Sequence, residues 1–191
     1  MIWTDAEPTL ATAARPSRVR QMTVAALFAA LLAASAWIVV PIGTVPVTLQ
    51  VFIVLLATLL LEPKWAAASV GVYLLLGSAG VPVFAGGVGG LGVLIGPSGG
   101  YLWGFALGAF VGAALRGKRR DGAYVTAGDI AACAACVAII YACGWAQLTL
   151  VTGASLVEAF AAGVAPFILI DAAKVVVAVG ISAALHREGV V

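Results

Sequence analysis

The chain has 191 residues, 63% hydrophobic and 9% charged, with a formal net charge of +2 and a mean hydropathy of +1.15. A water-soluble domain of this size cannot hide so much apolar surface, so the composition demands lipid as solvent. In hydrocarbon every backbone polar group must be satisfied internally, which leaves helical bundles or closed barrels, and the apolar runs here are too long and continuous for the alternating pattern of barrel strands. The expectation is an all-α integral membrane protein with a single membrane domain.

Residues 1–16 are polar and alanine-rich. Residues 1–18 read as a flexible cytoplasmic segment and 19–188 as the transmembrane domain. The leader is long and mixed in charge, and no clean small-residue site ends the first apolar run, so a cleavable signal peptide is not expected. Arg15, Arg18 and Arg20 lead into an apolar helix at 19–40, which Pro41, Gly43 and Pro46 break. Segments at 47–61 and 65–79 follow, joined by a tight turn at Glu62-Pro63-Lys64. Both are shorter than the roughly 20 residues of an ordinary span, and they need structured loops at their ends to complete the crossing. The loop at 80–100 holds nine glycines and two prolines. A fourth segment at 101–115 ends in a basic turn at 116–121, a fifth covers 126–150, and a polar connection through Glu158 leads to the sixth at 163–185.

Charge distribution tests this count of six spans. With the N-terminus in the cytoplasm, Arg15, Arg18, Arg20, Lys64, Arg116, Lys118, Arg119, Arg120 and Arg187 all fall on the cytoplasmic side, and only Lys174 of the ten cations is left over. That agrees with the positive-inside rule and puts both termini in the cytoplasm. Lys174 lies inside the last span with Asp171, which is about 12 Å deep at 1.5 Å per residue. A charge at that depth is costly unless it is paired or faces a polar cavity. Three residues apart, the two share a helix face and suit a ligand with amide-like N–H groups and a carboxylate. They also satisfy a purely structural reading, pairing with each other or with Asp129.

Other motifs point to less. Cys133, Cys136 and Cys143 lie in one apolar segment with no second pair, so they read as small buried hydrophobes; no metal or cofactor is expected, and no nucleic acid. Gly96-Pro97-Ser98-Gly99 matches the Gly-x-Ser-Gly pattern of rhomboid-type intramembrane proteases. The only histidine, His186, is placed at the opposite membrane face, roughly 30 Å away, too far to act as base. Residues 112–118 resemble a phosphate-binding loop, but Arg119 stands where a magnesium-binding Ser or Thr is needed, so the chain is expected to carry no ATPase and to be no enzyme. The glycine-rich runs Val81–Gly87 and Gly89–Gly92 carry Pro, Phe, Val and Leu between the glycines and read as a folded lid whose backbone approaches a ligand closely. Alanines recur at 25, 29 and 33, and again at 26, 30 and 34, in the small-xxx-small spacing that lets another helix come near.

Four ordered motifs together resemble the BioY family, the biotin-specific substrate-binding (S) components of energy-coupling-factor (ECF) transporters. They are Pro46-Val47-Thr48-Leu49-Gln50, Gly80-Val81-Pro82-Val83-Phe84-Ala85-Gly86-Gly87, Gly96-Pro97-Ser98-Gly99-Gly100-Tyr101, and Pro166-Phe167 with Asp171 and Lys174. The resemblance implies a six-transmembrane-helix bundle of the ECF S-component type and biotin uptake across a prokaryotic cytoplasmic membrane. It also implies partnership with a transmembrane coupling subunit and two cytoplasmic ATPases. Ala25, Ala29 and Ala33 would dock on the coupling subunit; a homo-oligomer is left open. Asp171 would accept a ureido N–H, and Lys174 would meet the carboxylate or another polar group of biotin. Tyr101, Phe84 and Trp103 would pack on its rings, Gln50 and Thr48 would be polar neighbours, and the lid with Gly86 and Gly87 and the loop 44–47 would close over it. Residues 85–89 lack the polar or basic side chain that the family uses there, so that contact is backbone or absent. The competing readings are an S component for a different small vitamin, the intramembrane protease, and a structural scaffold.

Overall fold

In the computed structural model, which describes residues 17–41, 45–116 and 125–189, the Ser17 hydroxyl accepts a hydrogen bond from the Arg20 N–H at 3.2 Å and opens α1 (Arg18–Ser35). Helix therefore begins inside the segment expected to be flexible through residue 18. It also stops five residues short of the expected end. Ile38, Val39 and Val40 are β-branched and precede Pro41, a combination that favours extended backbone. They form β1 (Val39–Val40), which pairs antiparallel with β2 (Val47–Thr48), Val39 opposite Thr48. The leader with Arg15, the stretch 42–44, and Lys118, Arg119, Arg120 and Asp121 of the basic turn lie outside the described residues.

Next come α2 (Gln50–Leu60) and α3 (Pro63–Ser78), the latter opened by Pro63 at a position where a missing N–H costs nothing. The glycine loop contains a short helix, α4 (Leu91–Ile95), before α5 (Gly99–Leu115). Thr126 and Asp129 form a reciprocal capping box at the start of α6 (Ala127–Thr152), and Gly153 ends it in the left-handed conformation with φ +70°. The Glu158 connection is itself a helix, α7 (Leu156–Gly163), capped the same way by Ser155 and Glu158. Pro166 then interrupts the expected sixth segment with a 3-10 turn (Ala165–Phe167) before α8 (Ile168–Arg187).

Helices α1, α2, α3, α5, α6 and α8 form the bundle. At its centre, Val54, Leu55, Ala57 and Leu59 of α2 are fully buried. The closest helix pair is α5 against α6, and its cause is a row of glycines four apart on α5. A Cβ on Gly104 would lie 2.7 Å from Ile140 Cα, on Gly108 2.8 Å from the Cys136 carbonyl, and on Gly112 2.7 Å from the Ala132 carbonyl. Any side chain there would push the helices apart, which is the small-residue packing that lipid-solvated bundles rely on.

Leu27, Leu75, Leu107, Leu150, Leu169 and Val176 are all exposed on the outside of the bundle, as lipid-facing residues are. Among the described residues, Ala127–Thr152 and Leu156–Arg187 are long and apolar enough to cross a bilayer unaided. The 11-residue α2 is about 17 Å long and needs the β1–β2 hairpin at its end to complete the crossing.

The alanine stripes resolve differently from the expectation. Ala25 and Ala29 are buried and Ala33 is half-buried, on the face that α1 packs against its own bundle. Ala25 and Ala29 therefore present little surface to a partner, and Ala33 presents part of its own. The exposed stripe is the other one, Ala26, Ala30 and Ala34.

Candidate ligand-binding cavity

One end of the bundle holds a cavity of about 210 Å³ between β2, the start of α2, the glycine loop, the start of α5, the middle of α6 and the start of α8. Its wall is mostly apolar, including Val45, Val51, Phe84, Leu102, Phe105, Ile140 and Phe167, with Thr48, Gln50, Ser98, Tyr101, Tyr141, Asp171 and Lys174 supplying the polar groups.

Asp171 and Lys174 pair with each other. The Lys174 ammonium donates to Asp171 Oδ1 at 2.8 Å and to the main-chain carbonyl of Thr48 at 2.8 Å. Their side chains are only 3% and 12% exposed, in the order Asp, Lys. The second carboxylate oxygen, Oδ2, accepts the Tyr141 hydroxyl at 2.7 Å. Asp129 takes no part in this; it caps α6 through Thr126. A neighbouring network joins Thr48 to Gln50, with the Thr48 hydroxyl donating to Gln50 Oε1 at 3.1 Å and the Gln50 amide donating to the Tyr73 hydroxyl.

Of the residues expected at a site, Thr48, Gln50, Phe84, Tyr101, Asp171 and Lys174 converge on this cavity. Tyr101 is locked by its surroundings, its ring against Gly144 and its hydroxyl donating to the Gly163 carbonyl at 2.7 Å. Phe84 stands edge-on to Tyr73 with ring centroids 5.5 Å apart and lies against Gly77. Gly86 and Gly87 are behind the wall rather than on it, where Ala85 and Val88 stand. Their role is conformational: at φ +79° and +74° they make the turn that lets the Phe84 N–H reach the Val88 carbonyl at 2.9 Å. The Gly86 N–H also donates to the Ala36 carbonyl at 3.1 Å, and Gly87 abuts Trp37, tying the loop to the end of α1. Trp103 is away from the cavity; its indole donates to the Leu94 carbonyl at 3.3 Å and holds α4.

Tyr141, Phe105 and Ile140 escape a reading of the sequence. A lone tyrosine in the apolar 126–150 run was the available signal, but nothing local links it to a residue 30 positions later. Ser98 lines the cavity, whereas His186 lies at a different cavity with Arg20 and Arg116. The hydroxyl and the imidazole needed for a serine protease are not assembled.

A lipid-solvated six-helix bundle with a partly open, largely apolar cavity and one paired polar cluster defines a small-molecule-binding membrane protein. The fold matches a solved chain described as the S-component for biotin from an ECF-type ABC transporter, with a TM-score of 0.79, 26% identity, and 91% of this chain and 95% of that one covered. Residues 8–189 match the BioY family. The Biotin transporter BioY of Thermotoga maritima is 42% identical over 169 residues, 88% of this chain and 97% of that protein. The Probable biotin transporter BioY of Pyrococcus horikoshii is 40% identical over 88% of this chain and 98% of that protein. The chain belongs to the BioY family.

Proposed function

We propose that the protein binds biotin in this cavity and takes it up across the cytoplasmic membrane as the substrate-binding subunit of an ECF transporter. The observation that carries the reading is the internally paired Asp171–Lys174 unit set in an apolar wall. The names of the related transporters and of the matching S-component give it independent support.

The pairing also favours one orientation of the ligand. An isolated buried ammonium would call for an anion. Here the ammonium is already matched by a carboxylate at 2.8 Å, so the unit is formally neutral and suits a neutral polar head. A cyclic urea is the complement: its N–H groups meet the lone pairs that Asp171 has beyond those used by Lys174 and Tyr141, and its carbonyl meets the third ammonium proton of Lys174. The sulfur-containing ring then packs among Phe84, Tyr101 and Phe105, and the acid chain runs toward the wall of Ala85, Val88 and Ser98. The Ser98 hydroxyl is the polar side chain that wall offers the carboxylate.

Energy coupling needs a transmembrane partner and two ATPases, and the exposed stripe Ala26, Ala30 and Ala34 is the face of α1 open to close helix approach. The positive-inside count gives a multi-pass topology with cytoplasmic termini, the cavity facing outward. The site is tested by titrating radiolabelled biotin into the purified protein and its Lys174→Ala variant. Saturable binding that the substitution weakens supports the reading. Unchanged binding removes Lys174 from the site, and a thermal shift with another vitamin but none with biotin changes the ligand.

A further inference from the structure

Part of the cavity wall is carried by a segment that apolar burial does little to hold. Val93 and Ser98, from the stretch 91–100, line the cavity. Helix α4 in that stretch has five residues, too few to be stable alone. Leu94 is its buried side chain, while Leu91 and Ile95 are 65% and 74% exposed. Hydrogen bonds from other helices hold its end instead. The Gln147 amide of α6 donates to the Leu94 carbonyl at 2.8 Å and to the Gly96 carbonyl at 2.7 Å, which commits both of its protons. The Leu94 carbonyl is one that a helix end leaves without an internal partner. The Gly96 carbonyl also closes the turn around Ser98, accepting the Gly99 N–H at 3.0 Å. The Trp103 indole adds a longer bond to Leu94 at 3.3 Å. Two glycines make room for this clasp: a Cβ on Gly99 would lie 2.6 Å from Gln147 Nε2, and one on Gly100 2.7 Å from Gln147 Cβ.

We propose that Gln147 is a positioning residue that fixes how far this wall stands from the polar head site, and so selects the chain length of the ligand. The inference rests on the biotin reading above and adds to it a specificity determinant that stands behind the wall. Both ends of the cavity are referred to one helix. Tyr141 of α6 donates to the Asp171 carboxylate at the head site, and Gln147, six residues further along α6, holds the turn that presents Ser98. Six residues span about 9 Å at 1.5 Å per residue, and a packed helix does not stretch. The helix therefore acts as a ruler between the two ends. A wall at a set distance penalises a ligand that is one methylene too long or too short, by about tenfold or more. Without the clasp, α4 keeps Leu94 and the Trp103 bond as anchors, and the wall can follow the ligand.

Competition binding to the purified full chain tests the proposal, with biotin, norbiotin (one methylene shorter), homobiotin (one methylene longer) and 2-iminobiotin as probes. The unsubstituted protein is expected to prefer biotin over both chain-length analogues by about tenfold or more. Gln147→Met keeps the length of the side chain and removes both donors. It should cut that preference to less than about threefold while leaving the ratio of biotin to 2-iminobiotin, which reads the head site, unchanged. A side chain that only stabilised the fold would weaken all four ligands alike. Monodisperse elution reports folding; if Gln147→Met fails it, Gln147→Asn, an amide too short to reach both carbonyls, carries the test. Trp103→Phe is the comparison and should leave the chain-length preference in place, because Gln147 still holds Leu94. A preference that survives in both Gln147 variants, or a parallel loss for all four ligands, overturns the role of Gln147 and leaves the biotin reading standing. An unsubstituted protein that binds none of the four overturns the biotin reading, and this inference with it.

Discussion

The Tyr141 hydroxyl donates to Asp171 Oδ2 at 2.7 Å, bridging α6 to α8 at the wall of the candidate cavity. The other carboxylate oxygen is held by Lys174, so the carboxylate is fixed from both sides before any ligand arrives. Replacing Tyr141 by Phe keeps the ring and removes the proton. Biotin affinity is expected to fall about tenfold, the worth of one hydrogen bond to a charged group, and the unfolding midpoint should drop too, because a buried carboxylate oxygen loses its donor. Equilibrium titration of the variant checks this, and an unchanged affinity would mean that Lys174 alone orients the carboxylate.

Lys174→Ala leaves the Asp171 carboxylate, 3% exposed, without its cation. Breaking a buried pair in this way costs about 3–5 kcal/mol. The double substitution of Asp171 and Lys174 by alanine should therefore cost less stability than the sum of the single ones, a coupling readable from a double-mutant cycle of unfolding midpoints. Binding should be weakened in all three variants.

Ligand analogues read the orientation. Converting the urea to a guanidinium puts a cation beside the Lys174 ammonium and removes the carbonyl acceptor, so 2-iminobiotin in its protonated form should bind at least about a hundredfold more weakly than biotin, by like-charge repulsion in a desolvated site. Esterifying the acid should cost less, because the wall of Ala85, Val88 and Ser98 brings no cation to it. The reverse ranking in competition binding would place the carboxylate at Lys174.

The α5–α6 contact depends on missing side chains. Gly108→Leu must displace the Cys136 carbonyl, 2.8 Å from its would-be Cβ. It should cost about 3 kcal/mol or more, or prevent folding, as severe overpacking does. Gly71 is the control: it sits inside α3 with no atom within 4 Å of a built Cβ. Gly71→Ala should be neutral or stabilising by up to about 1 kcal/mol through helix propensity. Detergent-solubilised thermal melts distinguish the two.

The two faces of α1 make a further pair. Ala29→Trp is expected to disrupt the bundle, where Ala29 is 3% exposed. Ala30→Trp points outward and should leave biotin binding by the isolated subunit intact while lowering uptake in cells that supply the coupling subunit and ATPases. Equal effects of the two substitutions on binding would argue against this division of faces.

Composition by itself determined that the solvent is lipid, and the length and continuity of the apolar runs determined that the backbone is satisfied in helices rather than in a closed barrel. The rarity of charge at depth singled out Asp171 and Lys174, and four local motifs carried the family. Those signals are intrinsic to residue type and short spacing. What lay beyond them was decided by packing. Two alanine registers on one helix are equivalent in sequence; only the packing of α1 against α3 and α2 settles that Ala25 and Ala29 turn inward and Ala26 and Ala30 outward. Gly86 and Gly87 looked like ligand contacts because glycine permits close approach, yet their positive φ angles serve the turn that presents Phe84 and Val88. Tyr141 reaches Asp171 across 30 residues through the packing of α6 against α8, a long-range contact that no local pattern announces.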